Sequence, residues 1–175
     1  ISRFTKTRNS DEIYDLFIVL SGPEPQRTIF EKLILEQIKD IEGNMFLLRG
    51  LPGHKTKPAN FKNVTIENHL PANEMNAILA KSKLILCRSG YTSVMDLAVL
   101  EKKAILVPTP GQTEQEYLAK YLMEKQYFFS EQQEDFSIKD AIEKTKSFHF
   151  KKPDIKLEGF KKILNEFVAN LKSAK

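Results

Sequence analysis

A chain of 175 residues, 41% hydrophobic and 29% charged, is long enough to bury one domain-sized core, which excludes a disordered polypeptide. Its longest apolar runs, such as residues 16–20, fall far short of a bilayer span, and a lone cysteine excludes an internal disulfide. The net charge is +4, yet from Lys139 onward ten lysines stand against five acids, so the preceding chain carries −1.

The first residues, ISRFTKTRNSDEIYD, have no initiator Met and none of the layout of a signal peptide, so the chain is expected to be part of a longer polypeptide. Leu16-Phe17-Ile18-Val19-Leu20 is an uninterrupted, β-rich apolar run, as in a strand covered on both faces. Ser21-Gly22-Pro23 breaks it, and a helical pattern over 25–39 places Ile29, Leu33 and Ile34 on one side. A strand at 45–48, a loop with Pro, Gly and Lys at 50–63 and a short strand at 64–66 come next. A helix is predicted over 73–81, with Met75, Ile78 and Leu79 placed to pack, then a strand at 84–87. Cys87 ends that apolar strand, which suits a reducing, cytoplasmic setting. A helix over 92–101 carries Val94, Leu97, Ala98 and Leu100 inward, followed by a strand at 104–107 and a helix at 114–125. Residues 127–129 read as a last edge strand and 137–146 as a helix.

Strands that alternate with helices through short turns indicate a doubly wound, mostly parallel, Rossmann-like α/β sheet over residues 1–155. Residues 156–175 stand apart. Leu157, Phe160, Ile163, Leu164, Phe167, Val168 and Leu171 form the stripe of an amphipathic helix, which either caps this domain or crosses to a partner. The lysines between them make either a solvated helix face or a contact with an anionic membrane. No aromatic-rich nucleic-acid motif accompanies them, and no nucleic-acid partner is expected.

In open parallel sheets, ligands sit beyond the carboxyl ends of the strands. Three such ends are chemically marked: Ser21-Gly22-Pro23-Glu24, Arg88-Ser89-Gly90, and Pro110-Gly111-Gln112-Thr113. A helix start presents free N–H groups and positive potential, which suits a phosphate. Thr92 and Ser93 can donate to anionic oxygens, and Asp96, one turn on, can accept ribose hydroxyls. Neither G-x-G-x-x-G nor G-x-x-x-x-G-K-[ST] occurs, and no G-x-S-x-G elbow is present. There is no D-x-D pair, and His54, His69 and His149 stand away from Cys or carboxylates at ligand spacing, so no metal is expected. The residues alone thus point to a nucleotide- or phosphate-binding α/β domain with no visible catalytic group and no cofactor.

Cys87-Arg88-Ser89-Gly90, then Ser93-Val94, Asp96 and Ala98, and onward through Ala104-Ile105-Leu106-Val107-Pro108 to Gln115 and Tyr117, resembles the C-terminal domain of family 28 glycosyltransferases. That is the MurG type, which adds GlcNAc to lipid I in peptidoglycan synthesis. The resemblance implies a GT-B enzyme with two Rossmann-like domains, the C-terminal one holding a UDP-sugar as substrate. It implies that Ser89, Gly90, Thr92 and Ser93, with Arg88 in the same turn, face the diphosphate, and that Asp96 holds the ribose. Leu70, Pro71, Ala72 and Met75 would lie against the uracil, and Gln115 and Glu116, after the turn Pro110-Gly111-Gln112, would contact the sugar. Ser21 and Gly22 would line the cleft. The chain departs from the family pattern in carrying Asp96 for Glu, Gln115-Glu116 for Gln-Gln, and a first loop with a single Gly.

The implied function is donor binding for an inverting, metal-independent hexosyl transfer, UDP-GlcNAc being one donor. The acceptor and general base would belong to a missing N-terminal domain, leaving this chain alone inactive. The rival arrangements are a stand-alone donor subunit paired with a membrane-bound acceptor subunit, and a UDP-sugar epimerase or hydrolase in which Glu116 is the one obvious catalytic group. The expected location is the cytoplasm, with peripheral contact at the inner face of the membrane as an option.

Overall fold

The structure, a computed structural model, describes residues 2, 4, 11–58 and 60–153. In chain order the elements are β1 (Tyr14–Val19), α1 (Gln26–Gln37) with a 3-10 turn (Ile38–Asp40), β2 (Met45–Leu48), β3 (Val64–Glu67), α2 (Ala72–Ala80), β4 (Ser82–Cys87), α3 (Tyr91–Leu100), β5 (Lys103–Leu106), α4 (Thr113–Glu124), β6 (Phe129–Ser130) and α5 (Ile138–Ser147). The strands form one sheet in the order β3-β2-β1-β4-β5-β6, every neighbouring pair parallel. This is the doubly wound, Rossmann-like arrangement that the alternation of apolar runs predicts.

The uninterrupted apolar runs have a direct cause. Successive side chains of a strand point to opposite faces, and both faces are covered. Leu16 and Ile18 of β1 enter a core with Phe30 and Ile34 of α1 and Ile138 of α5. Phe17 and Val19 enter a second core with Leu79 of α2, Val94 and Leu97 of α3 and Leu122 of α4. Helices α1 and α5 therefore lie on one face and α2, α3 and α4 on the other. Phe17 is registered between Phe46 of β2 and Ile85 of β4 and is fully buried. Burying one such side chain stabilises the fold by roughly 1.5–3 kcal/mol.

Two local expectations are corrected. On α1, Ile29 is 45% exposed, and the buried face is Arg27, Phe30, Glu31 and Ile34. An ion-pair network draws the two charged residues inward, as described below. The edge strand is shorter than residues 127–129, because Tyr127 and Phe128 donate their N–H groups to Leu122 O and close the end of α4. Pairing with β5 begins only at Phe129. The amphipathic segment at 156–175 lies outside the described residues. Among the described residues no helix is long and apolar enough to cross a membrane.

Close approach of the chain at the sheet's upper edge requires one glycine. Gly50 has a φ of +69°, and a Cβ there would stand 2.4 Å from Leu20 O, so only glycine lets the end of β2 turn against the end of β1. Cys87, the one cysteine, is buried at the end of β4, and desolvation pushes its thiol up to about 12.

Candidate functional site

β1 and β4 are neighbours, but the helices that follow them lie on opposite faces of the sheet. The strand order reverses between them, which opens a crevice at their carboxyl ends. Of the expected residues, Ser89 is tied to Gln115 of α4, and Arg88 to the end of β5 and the start of α1.

α3 begins at this crevice without a side-chain cap; its N-cap is Gly90, in extended conformation with φ −67°. No backbone strain calls for glycine there, and an added Cβ would meet nothing within 4 Å. Among the described residues no side-chain cap occupies this helix start, where the positive end of the dipole lies. Thr92 is exposed and Ser93 half-buried on the first turn. Ser89 is buried and its hydroxyl donates to Gln115 O at 2.8 Å, so its side chain ties α3 to α4 instead of facing the crevice. Asp96 is only 4% exposed, and its Oδ1 accepts a 2.7 Å hydrogen bond from the Ser2 hydroxyl.

Arg88 stands apart from the rest of the expected set. It is 1% exposed, and its guanidinium donates to Val107 O, Pro108 O, Gln26 O and Gln133 Oε1 at 2.5–3.3 Å. It also stacks over the Phe30 ring, 4.1 Å from the centroid. Every acceptor is uncharged, and burial lowers the guanidinium to about 10. The side chain joins the ends of β4 and β5 to the start of α1. Three buried polar atoms in this corner, Arg88 Nε, Gln26 Oε1 and Thr109 Oγ1, have no hydrogen-bond partner among the described residues.

The turn before α4 is held by its own side chains. Gln115 Oε1 accepts from Thr109 N–H at 3.0 Å, Gln115 Nε2 donates to Gln112 Oε1, and Glu116 Oε1 accepts from Gly111 N–H at 2.9 Å. Pro110 and Gly111 form the tip, Gly111 at φ +78°. At the start of α2, Pro71 and Ala72 are exposed and Leu70 is half-buried. Met75 turns inward and shares a recess with Phe4, Leu79, Ser93 and Asp96, which sets α2 beside α3. At the end of β1, Ser21 is half-buried and Gly22 exposed.

One charged network was not foreseen. Glu31 on α1 is buried between Arg27 Nη1, at 3.1 Å, and Arg49 Nε. Arg27 also bonds Glu24 Oε1 at 2.7 Å, and Arg49 reaches Asn68 Oδ1 at 2.8 Å and Thr56 O at 2.9 Å. The network laces together the loops after β1, β2 and β3. Glu24 Oε2 also accepts from Thr28 N–H at 3.1 Å, so a carboxylate of the chain itself fills the first turn of α1. The bonds from Arg27 and Thr28 hold the Glu24 carboxyl below its ordinary range. In the sequence, the spacing Glu24-Arg27-Glu31 looks like a solvated helix face. Among the described residues, no group of three or more His, Cys, Asp or Glu side chains converges.

The geometry has clear relatives. The MurG structure of Acinetobacter baumannii superposes with a TM-score of 0.57 at 21% identity, over 79% of this chain and 42% of that one. The glycotransferase of kitacinnamycin gives 0.59 at 12% identity, over 84% and 38%. The glycosyltransferase SnogD from Streptomyces nogalater gives 0.54 at 12% identity, over 79% and 38%. At these identities the likeness is one of fold, and the chain spans about two fifths of the length of those structures. No curated protein matches the sequence. The model of the glycosyltransferase family 28 C-terminal domain, however, matches residues 26–172. Matched over most of its length, the chain belongs to that family.

Proposed function

We propose that this domain holds a UDP-sugar for an inverting, metal-independent glycosyl transfer. One observation carries the reading: an uncapped helix start, with Gly90 facing open space and Ser93 on its first turn, lies one turn from the buried carboxylate of Asp96. A nucleoside diphosphate needs that pair, N–H donors for the diphosphate and an acceptor for the ribose hydroxyls. In this reading the α3 N–H groups, Thr92 and Ser93 take the diphosphate, while Ser89 and Arg88 hold the turn from below. Leu70, Pro71 and Ala72 lie against the uracil, with Met75 beneath. The turn Pro110-Gly111-Gln112, braced by Gln115 and Glu116, faces the sugar, and Ser21 and Gly22 line the opposite wall. Glu116 already accepts the Gly111 N–H, which suits a positioning role better than that of an epimerase or hydrolase base.

An acceptor hydroxyl attacks the anomeric carbon as the bond from that carbon to the diphosphate oxygen breaks. The departing electron pair moves onto the diphosphate, where the α3 dipole and N–H groups stabilise it. The base and the acceptor belong to a domain or subunit outside this chain, a reading supported by its covering only 38–42% of the glycosyltransferases it resembles. Little or no sugar transfer is therefore expected from this chain alone. A cytoplasmic setting, with the lysine-rich segment after Lys139 touching an anionic membrane, belongs to the same proposal.

Calorimetric titration of the chain with UDP, UDP-GlcNAc, GDP and NAD tests it. Saturable binding that favours UDP, weakened at least about tenfold by Asp96→Ala through the loss of charge-assisted hydrogen bonds, is the expected result. Equal binding of NAD, or UDP binding indifferent to Asp96→Ala, would overturn it.

A further inference from the structure

Among the described residues, nothing neutralises the positive charge of Arg88. The guanidinium is 1% exposed and donates to four oxygens, all uncharged: Val107 O, Pro108 O, Gln26 O and Gln133 Oε1. The Phe30 ring covers one face of it, with the centroid at 4.1 Å. Desolvation, with no carboxylate to offset it, lowers the group to about 10. Arg27, one residue from Gln26, differs. It shares Glu31 with Arg49 and also holds Glu24, so that two guanidinium groups stand against two carboxylates. That network is balanced, and Arg88 lies outside it. A buried charge is costly unless an opposite charge accompanies it.

The place of the charge gives it a use. Arg88 directly follows β4 and precedes Gly90 by two residues, no more than about 7 Å of chain. Its bonds to the two carbonyls after β5 and to Gln26 of α1 set the cation at the carboxyl ends of β4 and β5, on the α1 face. Helix α3 starts from the same strand end, on the other face, with no side-chain cap. Coulomb attraction falls only with the inverse of distance, and protein screens it far less than water does. An anion at the α3 start is therefore drawn by Arg88 as well as by the helix dipole, without touching the guanidinium.

We infer that Arg88 is the counter-charge for the diphosphate: a guanidinium sealed beneath the α3 start that attracts the anion through the protein and makes no contact with it. The inference rests on the donor-binding reading above. It also accounts for the neutral acceptors, since a carboxylate among them would cancel the attraction.

Gln133 provides the test, because its Oε1 accepts from Arg88 Nη2 at 2.5 Å. Gln133→Glu places a carboxylate on the guanidinium and keeps an acceptor there. Gln133→Ala removes the acceptor and adds no charge. Calorimetry on the whole chain measures UDP in wild type and both variants, uridine is measured by its displacement of UDP, and melting temperatures are taken alongside. Gln133→Glu should bind UDP at least about tenfold more weakly and uridine unchanged, while melting at or above wild type. Gln133→Ala should keep the wild-type preference for UDP. If Arg88 only holds the turn, the added ion pair tightens that hold. UDP would then bind Gln133→Glu as well as wild type or better, which overturns the inference. An equal loss of UDP and uridine, or the same loss of UDP in Gln133→Ala, marks a structural cause and overturns it too. Wild type that binds uridine as tightly as UDP takes the diphosphate away from α3, and the donor-binding reading fails with it.

Discussion

Two helices begin beside the switch point, one on each face of the sheet, and their first turns are filled differently. At α1 the Glu24 carboxylate already accepts the Thr28 N–H, and Arg27, Glu31 and Arg49 lock it in place. At α3, among the described residues, no side chain caps the first turn, the N-cap is a glycine whose Cβ position would meet nothing within 4 Å, and small hydroxyls follow. An anion gains little at α1, where an internal carboxylate has used the donors and the dipole. It gains most at α3, where the fold has left them unused. The two helix starts differ in backbone too, Pro25 before α1 being helical at ψ −3° and Gly90 before α3 extended at ψ 143°, and the side chains around them decide which is structural and which is receptive.

The largest expected effect sharpens the structural side. Glu31 is 6% exposed with two guanidinium groups on it, so Glu31→Ala leaves buried cations short of a partner. A loss of about 3 kcal/mol in chemical denaturation is expected, with the UDP affinity of the folded protein unchanged. A fall in affinity larger than the fall in stability would break the comparison, since it would give α1 a share in the ligand.

Gly90→Ala probes the receptive side. Its φ of −67° suits alanine and its Cβ would touch no protein atom, so stability should change by less than about 1 kcal/mol. UDP affinity should nevertheless fall about tenfold, because the methyl group stands where the diphosphate approaches the backbone. Unchanged affinity would leave the glycine unexplained and move the diphosphate elsewhere.

The smallest effect concerns Glu24. Its carboxyl is held below the ordinary value of 4.5 by Arg27 and Thr28. A depressed pKa in the folded state gives stability that is present above the unfolded value and lost as pH falls through the folded one. Wild type should therefore melt slightly above Glu24→Gln at pH 7, and the gap should close as the pH is lowered well below 4.5. The side chain is exposed, so the difference is small.

Much of this was legible because burial on both faces writes itself as contiguous apolar runs. The strand at 45–48 has the predicted bounds, and the alternation fixes the fold class. The turn at Ser89-Gly90 was legible too, since a small, polar break between a buried strand and a helix is a local signal. The inward turn of Arg88 had a signal that went unused: at period two from Leu84 and Leu86 it belongs on the α1 face, where it is found. The burial of Glu31 was hard to read, because Arg49, the second of its two partners, lies 18 residues away in the loop after β2. Ser2 is beyond any local pattern, for only the folded chain brings it to Asp96.

The sealed thiol of Cys87 turns the chain into its own reporter of opening. A thiol raised to about 12 and shut in the core at the end of β4 is inert toward alkylating reagents while that strand is closed. Labelling proceeds only through excursions that expose it, so the alkylation rate at a fixed reagent concentration counts those excursions. Cys87 immediately precedes the Arg88-Ser89-Gly90 turn, and the slowing of that rate by a bound nucleotide would read occupancy from inside the protein, with no dye or tag on its surface.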